Sequence, residues 1–509
     1  TGKWYWEVRM DASSPYHIFG IVNNTIAHHH INDAYFYGMT YQSDGRFYAE
    51  NNGGSSFSSG NTTAQTIGDV VMLAVDMDAK KMWLGVNGAW LGSGNPSTGD
   101  NANWDSSRGF TDGRDYTPIF LSYGSSGLTI NFGQNPSFSG QATAGTNADD
   151  SGKGLFKYAP PTGFLALCED NLPTPAIADP GKHFKTVLYR GDGNNGHLIT
   201  GVGFQPDFVW VKRRDGSAVR HYLFDSVRGP LAALDSADTI AEVSSTTWLQ
   251  SLDSNGFSLG TSGGLNGSGN NYVAWCWKAG GAPVTNNDGS ITTQVSANRT
   301  AGFSIVKGSQ TSGTTTFGHG LGKAPKMIIT KQTNGTTGWY TYVKDIGYDR
   351  ALRLDQDSAS ASFAHWVAHP TTSVFSMGSG FGSGEDYVAY CFAEIEGFSK
   401  IGVYVGNGNA DGVFVNCGFK PAWVLIKNAD QNGTYWTLFD SSRKSTNPAN
   451  HTLNPNLSAV EETNGGNGQI DLVSNGFKCR NTDGGINGNN INYVFLAFAE
   501  SPFQTANAK

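Results

Sequence analysis

Three consecutive histidines are the first residues in the chain whose types and spacing could do chemistry. His28 and His30 are alternate residues, so on a strand both side chains would point to one face, with Asp33 close behind. Imidazole and carboxylate groups are zinc ligands in proteins. The alternative is a histidine cluster in a loop or at a subunit interface, where it could hold an ion or an anion between chains. We favour the loop or interface and predict no metal and no cofactor.

Two pairs of acidic residues have the composition used in glycoside hydrolysis, which needs two carboxyl groups. Asp76 and Asp78 fall where a hairpin turn is expected, and acidic residues are common in turns. Glu385 and Asp386 have no counterpart in the two segments related to theirs. The sequence contains no G-x-S-x-G, P-loop or H-E-x-x-H pattern. We therefore predict that the protein is not an enzyme.

Two turns rich in glycine, asparagine and aspartate are candidate calcium sites. They are residues 191–196 and 406–411. Carboxylate and amide oxygens bind calcium, but the same residues are typical of tight turns. Turn chemistry is the preferred interpretation, and the sequence leaves calcium binding by these loops undecided.

One ten-residue pattern occurs three times and indicates the elements that must position any site. The copies are residues 203–212, 322–331 and 418–427. In each copy a proline is followed six positions later by a lysine, and apolar or β-branched residues lie between them. These landmarks are Pro206 and Lys212, Pro325 and Lys331, and Pro421 and Lys427. The pattern predicts a buried strand that starts at the proline and reaches solvent at the lysine.

Further landmarks recur around each copy, so that the repeating unit is about a hundred residues long. A lead strand precedes the proline, an aromatic strand follows it, and a final aromatic strand ends the unit. The final strands are residues 272–277, 387–392 and 493–498. Their apolar residues do not keep a period of two, which predicts burial on both faces. A unit of this length is too long for a propeller blade, so we predict three small β-sandwiches.

Composition favours an all-β protein of several domains. Among 509 residues there are 67 glycines, 12% aromatic residues and 15% charged residues, which is typical of many strands and tight turns. The net charge of −8 argues against nucleic acid as a partner. No apolar run approaches the roughly 20 residues that span a bilayer, so we expect no membrane insertion. Cys276 and Cys391 occupy matching positions in two final strands, which predicts buried thiols.

The first 138 residues or so resemble the SPRY domain. The resemblance rests on landmarks in order and spacing: Gly2, Lys3, Trp4, Tyr5, Trp6, Glu7 and Val8, then Gly20, Gly68, Asp69, Asp76, Asn87 and Gly88, and finally residues 128–133. It implies a bent two-sheet sandwich whose loops bind proteins or peptides without catalysis.

The whole chain resembles proteins of tailed bacteriophages, especially marine ones, in its repeats, its proline-stiffened segment 160–175 and its ending at 497–503. The resemblance implies a structural or adhesive protein on the virion surface, such as a tail fibre. Its partners would be other virion proteins, further copies of itself with a trimer favoured, and a host-surface glycan or protein. The alternatives are an architectural head fibre or capsid-decorating protein, and a secreted carbohydrate-binding or carbohydrate-degrading protein.

The expected organisation is therefore all-β, with a SPRY-like sandwich followed by three tandem sandwiches. We also expect further chain before Thr1 and a natural end at Lys509. The predicted segments are a SPRY-like domain at 1–140, a linker at 141–180, repeat one at 181–282, repeat two at 283–398 and repeat three at 399–509.

Overall fold

The computed structural model describes residues 2–11, 17–23, 37–42, 47–51, 54–59, 66–108, 110, 116–122, 127–172, 175–363 and 365–502. The chain divides into two compact units, Thr1–Pro173 and Thr174–Lys509. The predicted all-β class is confirmed: the one α-helix in the described part is α1 (Gly263–Asn266). None of the described helices is long and apolar enough to cross a bilayer. The short 3-10 helices are Leu91–Ser93, Ser106–Arg108, Glu169–Asn171, Pro180–Lys182 and Lys344–Ile346.

The first unit consists of two antiparallel sheets with one short parallel pair. Its strands are β1 (Lys3–Met10), β2 (His17–Asn23), β3 (Tyr37–Gln42), β4 (Phe47–Asn51), β5 (Gly54–Ser59), β6 (Val70–Asp76), β7 (Lys81–Val86), β8 (Ala89–Trp90), β9 (Trp104–Asp105), β10 (Tyr116–Ser122), β11 (Leu128–Asn131) and β12 (Leu165–Ala166). One sheet has the order β11-β1-β6-β7-β8, with β12 beside β1 and β9 beside β7, and the other has the order β10-β2-β3-β4-β5.

A tight turn follows β7. Asn87 and Gly88 have φ angles of 48° and 89°, the left-handed conformation that a two-residue hairpin turn requires. The side-chain oxygen of Asn87 also accepts the backbone N–H of Val70 at 2.9 Å, which ties the turn to β6.

The segment 141–180 is not a linker along its whole length, because the first unit extends to Pro173. Glu7 on β1 is fully buried, and its carboxylate accepts the backbone N–H groups of Lys157 at 3.0 Å and Tyr158 at 2.7 Å. Burial raises the pKa of Glu7, and these donors oppose the rise. A buried carboxylate needs such partners, so this part of the segment is held against β1.

The second unit contains the three repeats. Repeat one has β13 (Phe184–Arg190), β14 (His197–Thr200), β15 (Phe208–Arg213), β16 (Tyr222–Asp225), β17 (Gly229–Leu234), β18 (Val243–Ser244), β19 (Leu249–Asp253), β20 (Gly256–Leu259) and β21 (Asn271–Trp277). Repeat two has β22 (Val284–Asn286), β23 (Thr293–Asn298), β24 (Phe303–Ser309), β25 (Thr315–Gly318), β26 (Met327–Gln332), β27 (Tyr340–Val343), β28 (Arg350–Arg353), β29 (Ala361–Ser362), β30 (Val374–Met377) and β31 (Asp386–Phe392). Repeat three has β32 (Ser399–Val405), β33 (Phe414–Asn416), β34 (Phe419–Asn428), β35 (Thr437–Asp440), β36 (Ile470–Val473), β37 (Gly476–Cys479) and β38 (Asn492–Pro502).

The same four-strand order occurs in each repeat: lead strand, final strand, proline strand, aromatic strand. These sets are β13-β21-β15-β16, β24-β31-β26-β27 and β32-β38-β34-β35. A smaller sheet accompanies each set, namely β14-β20-β19, β25-β30 and β33-β37-β36. The final strand lies between two neighbours, and its residues after the first are buried on both faces in β21 and β31, as predicted.

The three sandwiches share one core, so they are not independent domains. Aromatic rings from different repeats are in contact: Phe208 stacks on Tyr390 at 4.4 Å between centroids, and Trp277 meets Trp423 edge-on at 5.6 Å. The shared cluster includes Trp210, Trp275, Ile329, Phe392, Leu425, Leu496 and Phe498. Both faces of each final strand are therefore covered, one inside its own sandwich and one by the neighbouring repeats.

Residues 231–243 contain strand rather than helix. β17 pairs with β16 on one side and with β18 on the other. Pairing with an aromatic strand already in the core stabilises the extended conformation of this segment.

Candidate functional site

The predicted metal ligands His28, His30 and Asp33 lie outside the described residues. Within the part of the chain that the structure describes, no group of three or more His, Cys, Asp or Glu side chains is placed to hold a metal ion.

The carboxylates of Asp76 and Asp78 serve a turn and do not act as a pair. One oxygen of Asp76 accepts the backbone N–H groups of Asp78 at 3.0 Å and Ala79 at 2.8 Å, and the other lies 3.2 Å from the Lys3 ammonium. Asp78 accepts the backbone N–H of Gly2 at 3.1 Å. The two carboxylates thus bind different partners.

Glu385 and Asp386 also have separate partners. Glu385 accepts the hydroxyl of Tyr387 at 2.6 Å, and Asp386 accepts the hydroxyl of Ser309. Burial, followed by the hydrogen bond that the phenol donates to Glu385, raises the pKa of Tyr387, which keeps this phenol protonated. The two side chains therefore hold their own repeat together.

An amide group fills the centre of each loop that was a candidate for calcium. The side-chain nitrogen of Asn266 donates to Asp192 Oδ1 at 3.1 Å, the Asn194 carbonyl at 2.8 Å and the Gly260 carbonyl at 2.9 Å. In repeat three, Asn487 is used in the same way: it donates to Asn407 Oδ1 at 3.1 Å and to the carbonyls of Asn409 at 2.8 Å and Asn481 at 2.9 Å. These acceptors surround a donor in the position that a cation would need.

Repeat two makes the same arrangement from a different residue. The side-chain nitrogen of Gln310 donates to the carbonyls of Gly313 at 3.1 Å, Met377 at 3.4 Å and Gly378 at 3.2 Å. Each of the three repeats thus has a loop after its lead strand that is closed by a buried amide.

The predicted buried thiols are confirmed. Cys276 and Cys391 are free and fully buried, and burial raises the pKa of both far above the usual thiol range. Because the thiolate is the reactive form, these cysteines act as small apolar residues.

The proline landmarks lie where a strand can tolerate a missing N–H. Pro206 and Pro325 come two residues before β15 and β26. Pro421 lies inside β34, where the pairing with β38 is irregular on both sides of it. In each case the proline does not interrupt a regular ladder.

The prediction that the lysine landmarks reach solvent is wrong, because Lys212, Lys331 and Lys427 are all fully buried. Each ammonium donates to the carbonyl of the next residue, at 3.0 Å, 2.8 Å and 2.7 Å respectively. Burial lowers the pKa of each lysine to about 8. The long side chains turn inward because carbonyl groups of a neighbouring repeat are available to two of them.

These carbonyl groups connect different repeats. Lys331 of repeat two donates to the Thr239 carbonyl of repeat one at 3.2 Å. Lys212 of repeat one donates to the Ser458 carbonyl of repeat three at 3.2 Å. In two of the three copies, the lysine of the recurring proline-to-lysine pattern therefore marks a contact between repeats.

Backbone hydrogen bonds show that these contacts form a closed cycle. Glu242 of repeat one donates its N–H to Thr333 of repeat two at 2.8 Å, which we call interface A. Glu461 of repeat three donates to Arg214 of repeat one at 3.0 Å, interface B. The third bond, from Ser360 of repeat two to Ala429 of repeat three at 2.8 Å, defines interface C.

The region that matches a known family model coincides with the three repeats of this cycle. Residues 179–502 match the family described as Domain of unknown function (DUF7483). The chain belongs to this family. The matched region begins shortly before β13 and ends at the last residue of β38, so one DUF7483 unit comprises all three repeats. No curated protein matches the chain.

Two interfaces of the DUF7483 unit contain a buried ion pair. At interface A, Asp225 pairs with Arg228 and also accepts the hydroxyl of Tyr390 from repeat two at 2.8 Å. Arg228 donates further to Glu242 at 3.1 Å. Burial is the largest single influence and lowers the pKa of Arg228, but Asp225, Tyr390 and Glu242 together outweigh it and the net shift is upward.

Interface B repeats this geometry. Asp440 pairs with Arg443 and accepts the indole N–H of Trp275 from repeat one at 3.0 Å. Arg443 donates to Glu461 at 2.9 Å, and Glu461 also binds Arg214 of repeat one at 2.8 Å.

Among the described residues, interface C has no such ion pair, because the residues at all its matching positions are different. The pairing of the strands aligns Val343 with the two aspartates and Leu496 with Tyr390 and Trp275. Ile346 stands where the arginines stand, and Val343 and Leu496 are buried in the shared core. The carboxylate, its arginine and the hydrogen-bond donor from the next repeat are thus all replaced together by apolar groups.

The polar groups of the DUF7483 unit are consequently used to hold repeats together. Burial raises the pKa of Tyr390 well above its usual value, and this phenol stays a donor to Asp225. The sequence reasoning missed these residues. Their signal was present as the pattern Asp-Ser-x-Arg, which occurs at 225–228 and 440–443 and begins at the last residue of each aromatic strand.

Proposed function

We propose that the protein is a non-enzymatic structural and adhesive component of a tailed phage particle, a tail fibre or another projecting appendage. In this proposal the DUF7483 unit is a rigid scaffold, and loops between the repeated landmarks bind ligands on the host surface. The observation that carries the proposal is the closed cycle of interfaces A, B and C around one shared core.

A closed cycle suits a part that projects from a particle. Separate sandwiches joined by linkers would bend at each junction, whereas here each repeat forms backbone hydrogen bonds with both others and contributes side chains to the same core. A mechanical force can separate one repeat from the unit only if two interfaces open together. The scaffold residues recur in all three repeats, while the loops between them differ, and such loops are where binding residues are commonly found.

The first unit is proposed to bind a partner protein through its loops, as its resemblance to the SPRY domain suggests. We further propose that the chain assembles with other virion proteins and with copies of itself, most simply as a trimer. Native mass spectrometry of the purified chain checks this, and a monomer at micromolar concentration would contradict it.

Electron microscopy of phage particles labelled with antibodies against the chain tests the location. Label on the tail or on fibres is the expected result. Label confined to the capsid face would favour the architectural head-fibre role, and absence of label from intact particles would overturn the proposal. Fluorescently labelled protein should also bind host cells and compete with phage adsorption.

A further inference from the structure

A small polar cavity lies in repeat three, on the outside of the proline strand. Its volume is about 50 Å³, and its walls include Lys420, Ser441, Lys444, Ser445 and Glu500. About 10–15 Å³ of such space is enough to hold one water molecule, so the cavity has room for a small polar group such as a carboxylate.

One wall of the cavity is fixed and electrically balanced. The Lys420 ammonium lies 3.0 Å from a carboxylate oxygen of Glu500, and the Lys420 side chain is only 8% exposed. Asn447 closes the cavity on another side, where its amide both donates to and accepts from the backbone of Leu472, at 3.0 Å and 2.9 Å. These contacts keep the walls in place without a ligand.

The remaining wall offers donors that the protein does not use. Among the described residues, no hydrogen-bond acceptor is assigned to the ammonium of Lys444 or to the hydroxyls of Ser441 and Ser445. With Lys420 and Glu500 cancelling, Lys444 gives the cavity a net charge of +1. A single negative charge with two or more acceptor oxygens complements this set.

The cavity is specific to repeat three. Counting from the matched aspartates, Lys444 is replaced by Gly229 in repeat one and by Gly347 in repeat two. Lys420, counted from the matched prolines, is replaced by Gln205 and Ala324. The charged lining is therefore not part of the repeated scaffold.

We propose that this cavity binds the carboxylate of an acidic sugar, such as a uronic acid, with the sugar ring outside the cavity. Lys444 supplies the charge, and the two serine hydroxyls donate to the carboxylate oxygens. A group with two negative charges is disfavoured, because the net charge of +1 leaves one of its charges without a partner. The inference rests on the proposed adhesive function and names its ligand class.

Calorimetric titration of the full chain tests the site with glucuronate as the probe, and with glucose and glucose 6-phosphate as comparison ligands. We expect saturable binding of one glucuronate per chain and none of glucose. Lys444→Ala should weaken glucuronate binding by about tenfold or more, since it removes the charged partner. Lys323→Ala is the matched control, because Lys323 is an exposed lysine of repeat two and its loss changes the net charge equally.

A second variant separates loss of the site from loss of the fold. Ser445→Asp places a negative charge at the exposed mouth of the cavity and should abolish glucuronate binding while the melting temperature stays that of the wild type. The inference is overturned if glucuronate does not saturate, if Lys444→Ala binds it as well as Lys323→Ala does, or if glucose 6-phosphate binds more tightly. Those results leave the particle location untouched, and absence of the chain from particles leaves the titration result standing.

Discussion

Interfaces A and B differ from interface C in how they bury the same positions. The first two have an aspartate, an arginine three residues later, a glutamate and a donor from the next repeat, whereas the third has apolar groups at the first two positions and at the donor. A buried charge that loses its partner costs far more than a matched pair or a matched apolar contact. The four positions are therefore coupled, and a mixed interface is the unstable case.

The largest expected effect comes from breaking one ion pair. Asp440→Ala leaves Arg443, whose side chain is fully buried, without its main partner, and should lower the free energy of unfolding of the second unit by about 3–5 kcal/mol. Urea denaturation followed by tryptophan fluorescence measures this. Asp411→Ala in the same repeat is the control: Asp411 is 76% exposed, and its loss should leave the midpoint unchanged. A loss below about 1 kcal/mol for Asp440→Ala would contradict the coupling.

The next prediction converts interface A to the apolar pattern of interface C. Asp225→Val alone should destabilise strongly, because Arg228 then lies buried without its aspartate. Adding Arg228→Ile, Tyr390→Leu and Glu242→Ser should restore about 2 kcal/mol or more of the free energy of unfolding, because these changes remove the polar groups that Asp225→Val leaves without a partner. If the four changes destabilise additively, the apolar residues of interface C cannot replace the polar residues of interface A, and the coupling is absent.

Much of the fold could be predicted from the sequence because it depends on local patterns. The final strands lack a period of two, and both of their faces are indeed buried. The turn at Asn87 and Gly88 followed from residues that tolerate positive φ. The pattern did not show which residues cover the second face of each final strand, because these residues belong to another repeat.

The lysine landmarks show why the interfaces could not be predicted. A lysine at the end of an apolar run normally reaches solvent, and only the neighbouring repeat, with its free carbonyls, makes burial of Lys212 and Lys331 tolerable. The cavity in repeat three is also a product of distant segments, since Lys420 and Glu500 meet only when β34 pairs with β38. Neither feature has a local signature.

A smaller effect is expected from the buried amide that closes one loop in each of the three repeats. Asn266→Ala, Asn487→Ala and Gln310→Ala each remove an amide that donates to three acceptors, and each should cost about 1–3 kcal/mol. Calcium at millimolar concentration should not restore stability, because these acceptors are arranged around a donor nitrogen. Thermal unfolding with and without calcium measures both points, and a calcium-dependent rise in melting temperature in the wild type would contradict the interpretation.

The smallest effect is a pH dependence carried by the buried lysines. Their pKa is about 8 in the folded protein and about 10.5 in the unfolded chain, so between these values the unfolded chain binds more protons and stability rises with pH. From pH 7 to pH 9 each lysine should add about 1 kcal/mol. Above pH 10 the buried tyrosines reverse the trend, because their pKa is raised on folding.

Lys331→Met tests this origin of the pH dependence. The variant should be more stable than the wild type at pH 7 and should lose about a third of the rise between pH 7 and pH 9, since two of the three lysines remain. A pH profile identical to that of the wild type would mean that Lys331 does not titrate in this range.

Hydrogen exchange of the full chain in increasing urea, read by mass spectrometry, tests the central claim that the three repeats form one closed unit. Peptides from β21, β31 and β38 should lose protection at the same urea concentration, and Asp440→Ala should lower that concentration equally for all three. Loss of protection in repeat three alone, with β21 and β31 unaffected, would contradict the account.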